Sequence, residues 1–155
     1  MIQLLGEFDC KLDAKGRLSV PSSLKKQLPD VERDGLVINR GFEKHLVIYP
    51  KRVWEQIVAD LSSLNPYEKK NRDFIRFFTR GATDLSLDAA GRILLPRALT
   101  DFAGIGNEVV LACQLDKIEV WDKQAYDGLF DDEPENFANL AEEVMGNKAR
   151  GAHGA

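Results

Sequence analysis

The sequence is poor in the side chains on which most enzymes rely. Its 155 residues include two cysteines and two histidines. Cys10 and Cys113 each fall on the apolar side of a strand-like alternation, which reads as a small buried hydrophobe. A disulfide between them would need an oxidising compartment, and nothing in the sequence points to one. His45 and His153 do not cluster with cysteines or carboxylates along the chain, so neither a metal site nor a Ser-His-Asp or Cys-His arrangement is expected. Glycine-rich phosphate loops of the Walker and dinucleotide types are missing, and no cofactor is expected. No apolar run approaches the ~20 residues that cross a bilayer. Met1 to Glu7 lacks the basic and apolar regions of a signal peptide. These absences lead to the expectation of a cytoplasmic protein with no membrane contact, no small-molecule substrate and no catalytic role.

What the chain does have is unevenly placed. The net charge is −4, yet residues 1–80 hold 15 Lys and Arg against 11 Asp and Glu, and residues 81–155 hold 6 against 14. A locally positive surface can attract a polyanion whatever the total charge. Drift alone would also give such an asymmetry.

The chain also repeats itself. Leu12-Asp13-Ala14-Lys15-Gly16-Arg17-Leu18-Ser19-Val20-Pro21-Ser22-Ser23-Leu24 returns 75 residues later as Leu87-Asp88-Ala89-Ala90-Gly91-Arg92-Ile93-Leu94-Leu95-Pro96-Arg97-Ala98-Leu99. Two similar halves sharing one core are therefore expected, because one half would bury too little apolar surface to be stable alone. Around the motif, Phe8, Cys10 and Leu12 alternate with charged residues, and Leu18 and Val20 alternate with Arg17 and Ser19. That period of two predicts half-buried strands. Asp13-Ala14-Lys15-Gly16 between them has the end residues of a type I turn, so a hairpin tip is preferred to a helix face. Each motif leads into a Pro-started short helix, Pro21 to Leu28 and Pro96 to Ala103. Strands are predicted at Leu36–Asn39, Leu46–Tyr49, Val109–Cys113 and Ile118–Trp121, with helices over about Lys51–Leu64 and Pro66–Thr79. Arg72, Arg76 and Arg80 form a basic stripe on the second of these, facing either solvent or phosphate. Phe137, Leu140 and Val144 mark a short amphipathic helix, and Gly146 to Ala155 is expected to be flexible.

The duplicated Asp/Arg pair could act in several ways. It holds no nucleophile, and an Asp beside an Arg is a poor general acid. It could simply close a hairpin end, since surface pairs of this kind contribute only about 0–1 kcal/mol. It could also orient Arg17 and Arg92 for the major groove, where a two-stranded ribbon fits and Arg reads guanine, with Lys15 reaching a phosphate.

Two copies of Leu-Asp-Ala-x-Gly-Arg, each followed by a Pro-led helix, resemble the MraZ family. Val47-Ile48-Tyr49-Pro50 with Trp54, and Ile118-Glu119-Val120-Trp121-Asp122, are similar to it as well. The resemblance implies an α+β, AbrB/MazE-like swapped-hairpin β-barrel built from two repeats, residues 7–54 and 83–126, with a helical linker over 55–82 and a C-terminal helix and tail over 127–155. It further implies a nucleoid-associated transcriptional regulator of the bacterial division and cell-wall gene cluster. Such a regulator would assemble as a ring-shaped homo-oligomer and bind G-rich direct repeats in double-stranded promoter DNA. By motif, Arg17 and Arg92 would be the DNA-contacting arginines, Asp13 and Asp88 their orienting partners, and Lys15 the basic turn residue. Ala90 stands where the second copy would have its lysine, so the first copy is expected to bind more strongly. A MazE-like antitoxin, wrapping a protein partner with residues 131–155, is the alternative.

Overall fold

The computed structural model describes residues 3–131 and 135–154. The chain divides into two units, Met1–Lys123 and Gln124–Ala155. The first unit opens with strands β1 (Glu7–Lys11) and β2 (Arg17–Ser19), followed by the short helices α1 (Ser22–Lys25) and α2 (Val31–Asp34). Strands β3 (Leu36–Arg40) and β4 (Leu46–Pro50) come next, then helices α3 (Lys51–Ser62) and α4 (Lys69–Thr79). The pattern returns as β5 (Thr83–Leu85), β6 (Arg92–Leu94), α5 (Arg97–Phe102), β7 (Glu108–Gln114) and β8 (Lys117–Asp122). Helices α6 (Lys123–Gly128) and α7 (Glu135–Gly154) complete the chain.

The strands form a six-stranded antiparallel sheet in the order β1-β7-β8-β4-β3-β5, and a separate two-stranded ribbon of β2 with β6. Reversing the sheet order and exchanging each strand for its repeat counterpart returns the same order. A pseudo-twofold axis thus runs between β4 and β8 and between β2 and β6. Its central pairs are Val47 with Glu119, and Leu18 with Ile93.

Two expectations need correction. The strands flanking Asp13 do not form a ladder with each other beyond the turn. β1 pairs with β7 and β2 with β6, so every strand that leaves the first turn is completed by the second half of the chain. The sheet also stays open, with β1 and β5 at its edges among the described residues. The short strands β2 and β6, three residues each, pair with one another and join neither edge.

One core lies between sheet and ribbon. Leu18 and Ile93 are each 1% exposed and meet Leu24, Leu99, Ile38, Leu111, Ile48 and Ile118 there. Most of these are repeat counterparts, so the duplicated sequence fills both sides of the axis with side chains of like size. Cys10 and Cys113 are half-buried against the same cluster as free thiols, and burial raises both above the ordinary thiol range. On the other face of β4, Tyr49 meets Trp54 of α3, and Trp54 stacks on Phe78 of α4. Asn39, fully buried on β3, donates to the Phe78 carbonyl at 2.6 Å and satisfies an unpaired group near the end of α4.

Among the described residues no helix is long and apolar enough to cross a membrane. Helix α7 continues to Gly154, where a flexible segment was expected from Gly146.

Candidate nucleic-acid interface

The turn at Asp13 is fixed by its own first residue. Gly16 N–H donates to the Asp13 carbonyl at 3.0 Å, and Asp13 N–H donates to the Arg17 carbonyl at 2.8 Å. Gly16 takes φ +84°, the left-handed conformation that a type I turn followed by a bulge requires. Asp13 Oδ1 accepts from the backbone N–H groups of Lys15 and Arg17, each at 2.9 Å. Asp13 Oδ2 accepts from Arg17 Nε at 2.8 Å. Both carboxylate oxygens are therefore committed, one to shaping the turn and one to aiming the arginine. The Arg17 backbone N–H is the largest of the influences that hold the Asp13 carboxyl below the usual range, with the Arg17 guanidinium adding to it.

The second copy repeats this arrangement bond for bond. Asp88 Oδ1 accepts from Ala90 and Arg92 N–H at 2.9 Å each, and Oδ2 from Arg92 Nε at 2.9 Å. Gly91 has φ +77° and donates to the Asp88 carbonyl at 2.9 Å. The same backbone and side-chain bonds lower the Asp88 carboxyl.

The fold brings the two turns onto one surface. In the β2–β6 ribbon Arg17 lies opposite Leu94, and Ser19 lies opposite Arg92. The pairing continues into the turns, since Leu95 N–H donates to the Gly16 carbonyl at 2.9 Å and Val20 N–H to the Gly91 carbonyl at 3.1 Å. Because side chains alternate across a strand, Leu18 and Ile93 enter the core while Arg17, Ser19, Leu94 and Arg92 share the outer face. Arg17 and Arg92 are thus diagonal neighbours, roughly 7–8 Å apart in a standard ladder with their Cβ atoms somewhat closer. In each, Nε is held by the aspartate, and the terminal Nη nitrogens have no hydrogen-bond partner among the described residues. A guanidinium restrained at Nε presents its two terminal Nη groups as a fork, the geometry suited to two acceptors in one plane. Lys15 and its counterpart Ala90 occupy the tips of the two turns.

Other residues singled out in the sequence lie apart from this face. The basic stripe of α4 is largely tied down locally. Lys69 and Arg76 both reach Asp73, at 2.6 and 3.2 Å, Lys70 lies 3.8 Å from Glu68, and Arg72 donates to the Pro66 carbonyl at 2.9 Å. Such exposed, self-paired charges fit a solvated surface better than a phosphate cradle. The expectation that His45 stands clear of carboxylates is corrected. His45 is 3% exposed, with Nε2 3.4 Å from Glu119 Oε2, and its ring stacks on Trp121 at 4.4 Å. Sequence separation hides this cluster, because the β4–β8 pairing joins residues about seventy positions apart. His153 lies among residues whose side chains are not described.

Comparison with known proteins gives a consistent family. The sequence model described as "MraZ protein, putative antitoxin-like" matches residues 3–77 and again 78–148. A Christiangramia forsetii protein named Transcriptional regulator MraZ is 48% identical over 95% of this chain and 96% of its own. A Flavobacterium psychrophilum protein of the same name is 43% identical over 95% and 94%, and one from Cytophaga hutchinsonii 34% over 90% and 93%. Among solved structures, that of PHS018 from Pyrococcus horikoshii is similar at 16% identity with a TM-score of 0.34, over 76% of this chain and 87% of that one.

Proposed function

The chain belongs to the MraZ family, and from that premise we propose that it is a transcriptional regulator that reads double-stranded promoter DNA through the two Asp-x-x-x-Arg turns of a single β-ribbon. The observation that carries this reading is the pair Arg17 and Arg92. They stand diagonally on one exposed face, each braced at Nε by its own aspartate, with terminal donors to spare. A two-stranded ribbon fits the major groove, which is about 12 Å wide. There the fork of Nη donors matches guanine O6 and N7. Bracing before contact limits the rotamer entropy lost on binding. Lys15 supports a phosphate contact at the first turn that Ala90 cannot make at the second, so Arg17 carries the larger share.

In this reading residues 7–54 and 83–126 are the DNA-facing repeats, 55–82 the linker and 127–155 the C-terminal helix and tail. The target is a set of G-rich direct repeats in the promoter of the division and cell-wall gene cluster, which places the protein at the nucleoid. A ring of identical chains would set several ribbons against several boxes, and avidity would then grow with box number without any new contact.

The test is a fluorescence-anisotropy titration of the unaltered protein, Arg17→Ala and Arg92→Ala against promoter DNA carrying the repeats, with scrambled DNA as control. All three proteins are first sized to confirm equal assembly. Arg17→Ala loses the preference for the repeats, and Arg92→Ala weakens it less. Unchanged binding by Arg17→Ala would make the Asp13/Arg17 pair a structural clasp.

One observation favours a second reading, a protein-binding module. Phe137, Leu140, Val144 and Met145 of α7 form an exposed apolar stripe. Ending the chain at Asp131 separates the two readings, because a ribbon reader keeps its operator affinity and a tail-wrapped binder loses its partner.

A further inference from the structure

The outer face of the ribbon contains one residue that its polar surroundings do not explain. Leu94 is 55% exposed, between Arg17 opposite and Arg92 two positions back on its own strand. Its repeat counterpart is Ser19, so the two halves of an otherwise symmetric face differ at this point. A methyl group built on Gly16 would lie 3.9 Å from Leu94 Cδ1, which shows the side chain leaning over the first turn, on the Arg17 side. Leu18 and Ile93 already anchor the ribbon to the core, and a leucine left more than half exposed adds little to folding. Its apolar surface is available to whatever meets the arginines.

Resting on the DNA-reading role of this ribbon, we propose that Leu94 is a specificity-determining residue that recognises a thymine 5-methyl group next to the guanine read by Arg17. Of the groups that base pairs present in the major groove, that methyl is the apolar one, and apolar side chains contact it. The serine at position 19 offers a hydroxyl to the corresponding base on the Arg92 side, where either a donor or an acceptor would be accepted. The ribbon therefore has a twofold backbone and an asymmetric reading edge. It binds a box in one orientation, with the apolar contact beside the stronger arginine.

The experiment uses the full chain and a duplex covering the promoter region that it protects from nuclease. Each thymidine is replaced in turn by deoxyuridine, which removes one methyl group and leaves pairing intact. The unaltered protein loses about fourfold in affinity at one position per box, the effect of burying one methyl group. Leu94→Ser binds the thymidine and deoxyuridine duplexes equally, and Leu94→Met retains the discrimination. Indifference of the unaltered protein to every replacement overturns the proposal. So does a Leu94→Ser protein that binds all duplexes more weakly yet keeps the fourfold penalty, since Leu94 would then only support the Arg17 stem. Arg17→Ala and Arg92→Ala measured in parallel separate the two levels. If they lose binding while no methyl effect exists, the ribbon reads DNA without Leu94. If they bind normally, the DNA-reading role of the ribbon falls as well.

Discussion

At the residue scale, one aspartate does two jobs in each turn. Asp13 Oδ1 holds two backbone N–H groups and Oδ2 holds Arg17 Nε. Asp13→Asn keeps the amide oxygen for the backbone but removes the charge that restrains the guanidinium. The expected outcome is a folded protein with weakened DNA binding, checked by circular dichroism and anisotropy on the same sample. Because the Asp13 and Asp88 carboxyls are lowered in the fold, their contribution to stability is complete above the ordinary carboxylate pKa of about 4. It is lost as pH falls from there through the lowered folded values. The double variant Asp13→Asn/Asp88→Asn should therefore show a flatter stability profile below about pH 4, read from urea midpoints against pH. The glycines are not equivalent either. Gly91 at φ +77° has open space around it, so Gly91→Ala should cost about 1–2 kcal/mol through backbone strain alone. Gly35 at φ +74° would place a Cβ 2.8 Å from the Leu85 carbonyl, so Gly35→Ala also pushes β5 away from β3 and should lower Tm further.

At the element scale, the face that carries Arg17 and Arg92 depends on a ribbon that could not stand alone. A single two-stranded pair is marginal in water. Strands β2 and β6 have three residues each and are held by Leu18 and Ile93 pointing into the core. Leu18→Ala should cost about 2–5 kcal/mol, as large-to-small changes in a packed core do. Below its new melting point the variant should also bind DNA more weakly, because the ribbon that aims both arginines is loosened. Thermal melting and anisotropy check the two halves of that expectation. A change on the exposed face such as Ser19→Ala should leave Tm nearly unaltered. Helix α4 illustrates the opposite case, in which part of a charge pattern that stands out in the sequence is held locally, Lys69 and Arg76 by Asp73, Lys70 by Glu68 and Arg72 by the Pro66 carbonyl.

At the scale of the whole molecule, the repeats are interlocked rather than adjacent. β1 belongs to the first repeat and pairs with β7 of the second, while β5 of the second pairs with β3 of the first. A fragment of residues 1–80 thus lacks the partners of β1 and β2. It should be unfolded as a monomer, or should regain structure by pairing with a second copy about a true twofold axis. Sedimentation and far-ultraviolet circular dichroism check this, and a folded monomer of that fragment would contradict the interlocked topology. The same topology explains why the two turns sit together although 75 residues separate them.

Most local elements were legible in the chain because local causes make them. Alternation marked β1 and β2, short apolar runs marked β3, β4 and β7, prolines marked the starts of α1 and α5, and Asp with Gly marked both turns. The Asp/Arg pairs were visible too, since a four-residue spacing across a tight turn allows little else. Pairing partners were not legible, because β1 carries the same alternation whether it bonds to β2 or to β7. For the same reason the buried His45 with Glu119 and Trp121 could not be seen. The sequence by itself determined that one Asp-x-x-x-Arg turn occurs twice, with Lys15 at the first tip and Ala90 at the second. Only the tertiary structure decided that the two arginines share one face, with Leu94 between them. The physical reason is that hydrogen bonding between strands is indifferent to sequence distance, and the choice of partner is made by burying Leu18 and Ile93 in a core that neither repeat can close alone.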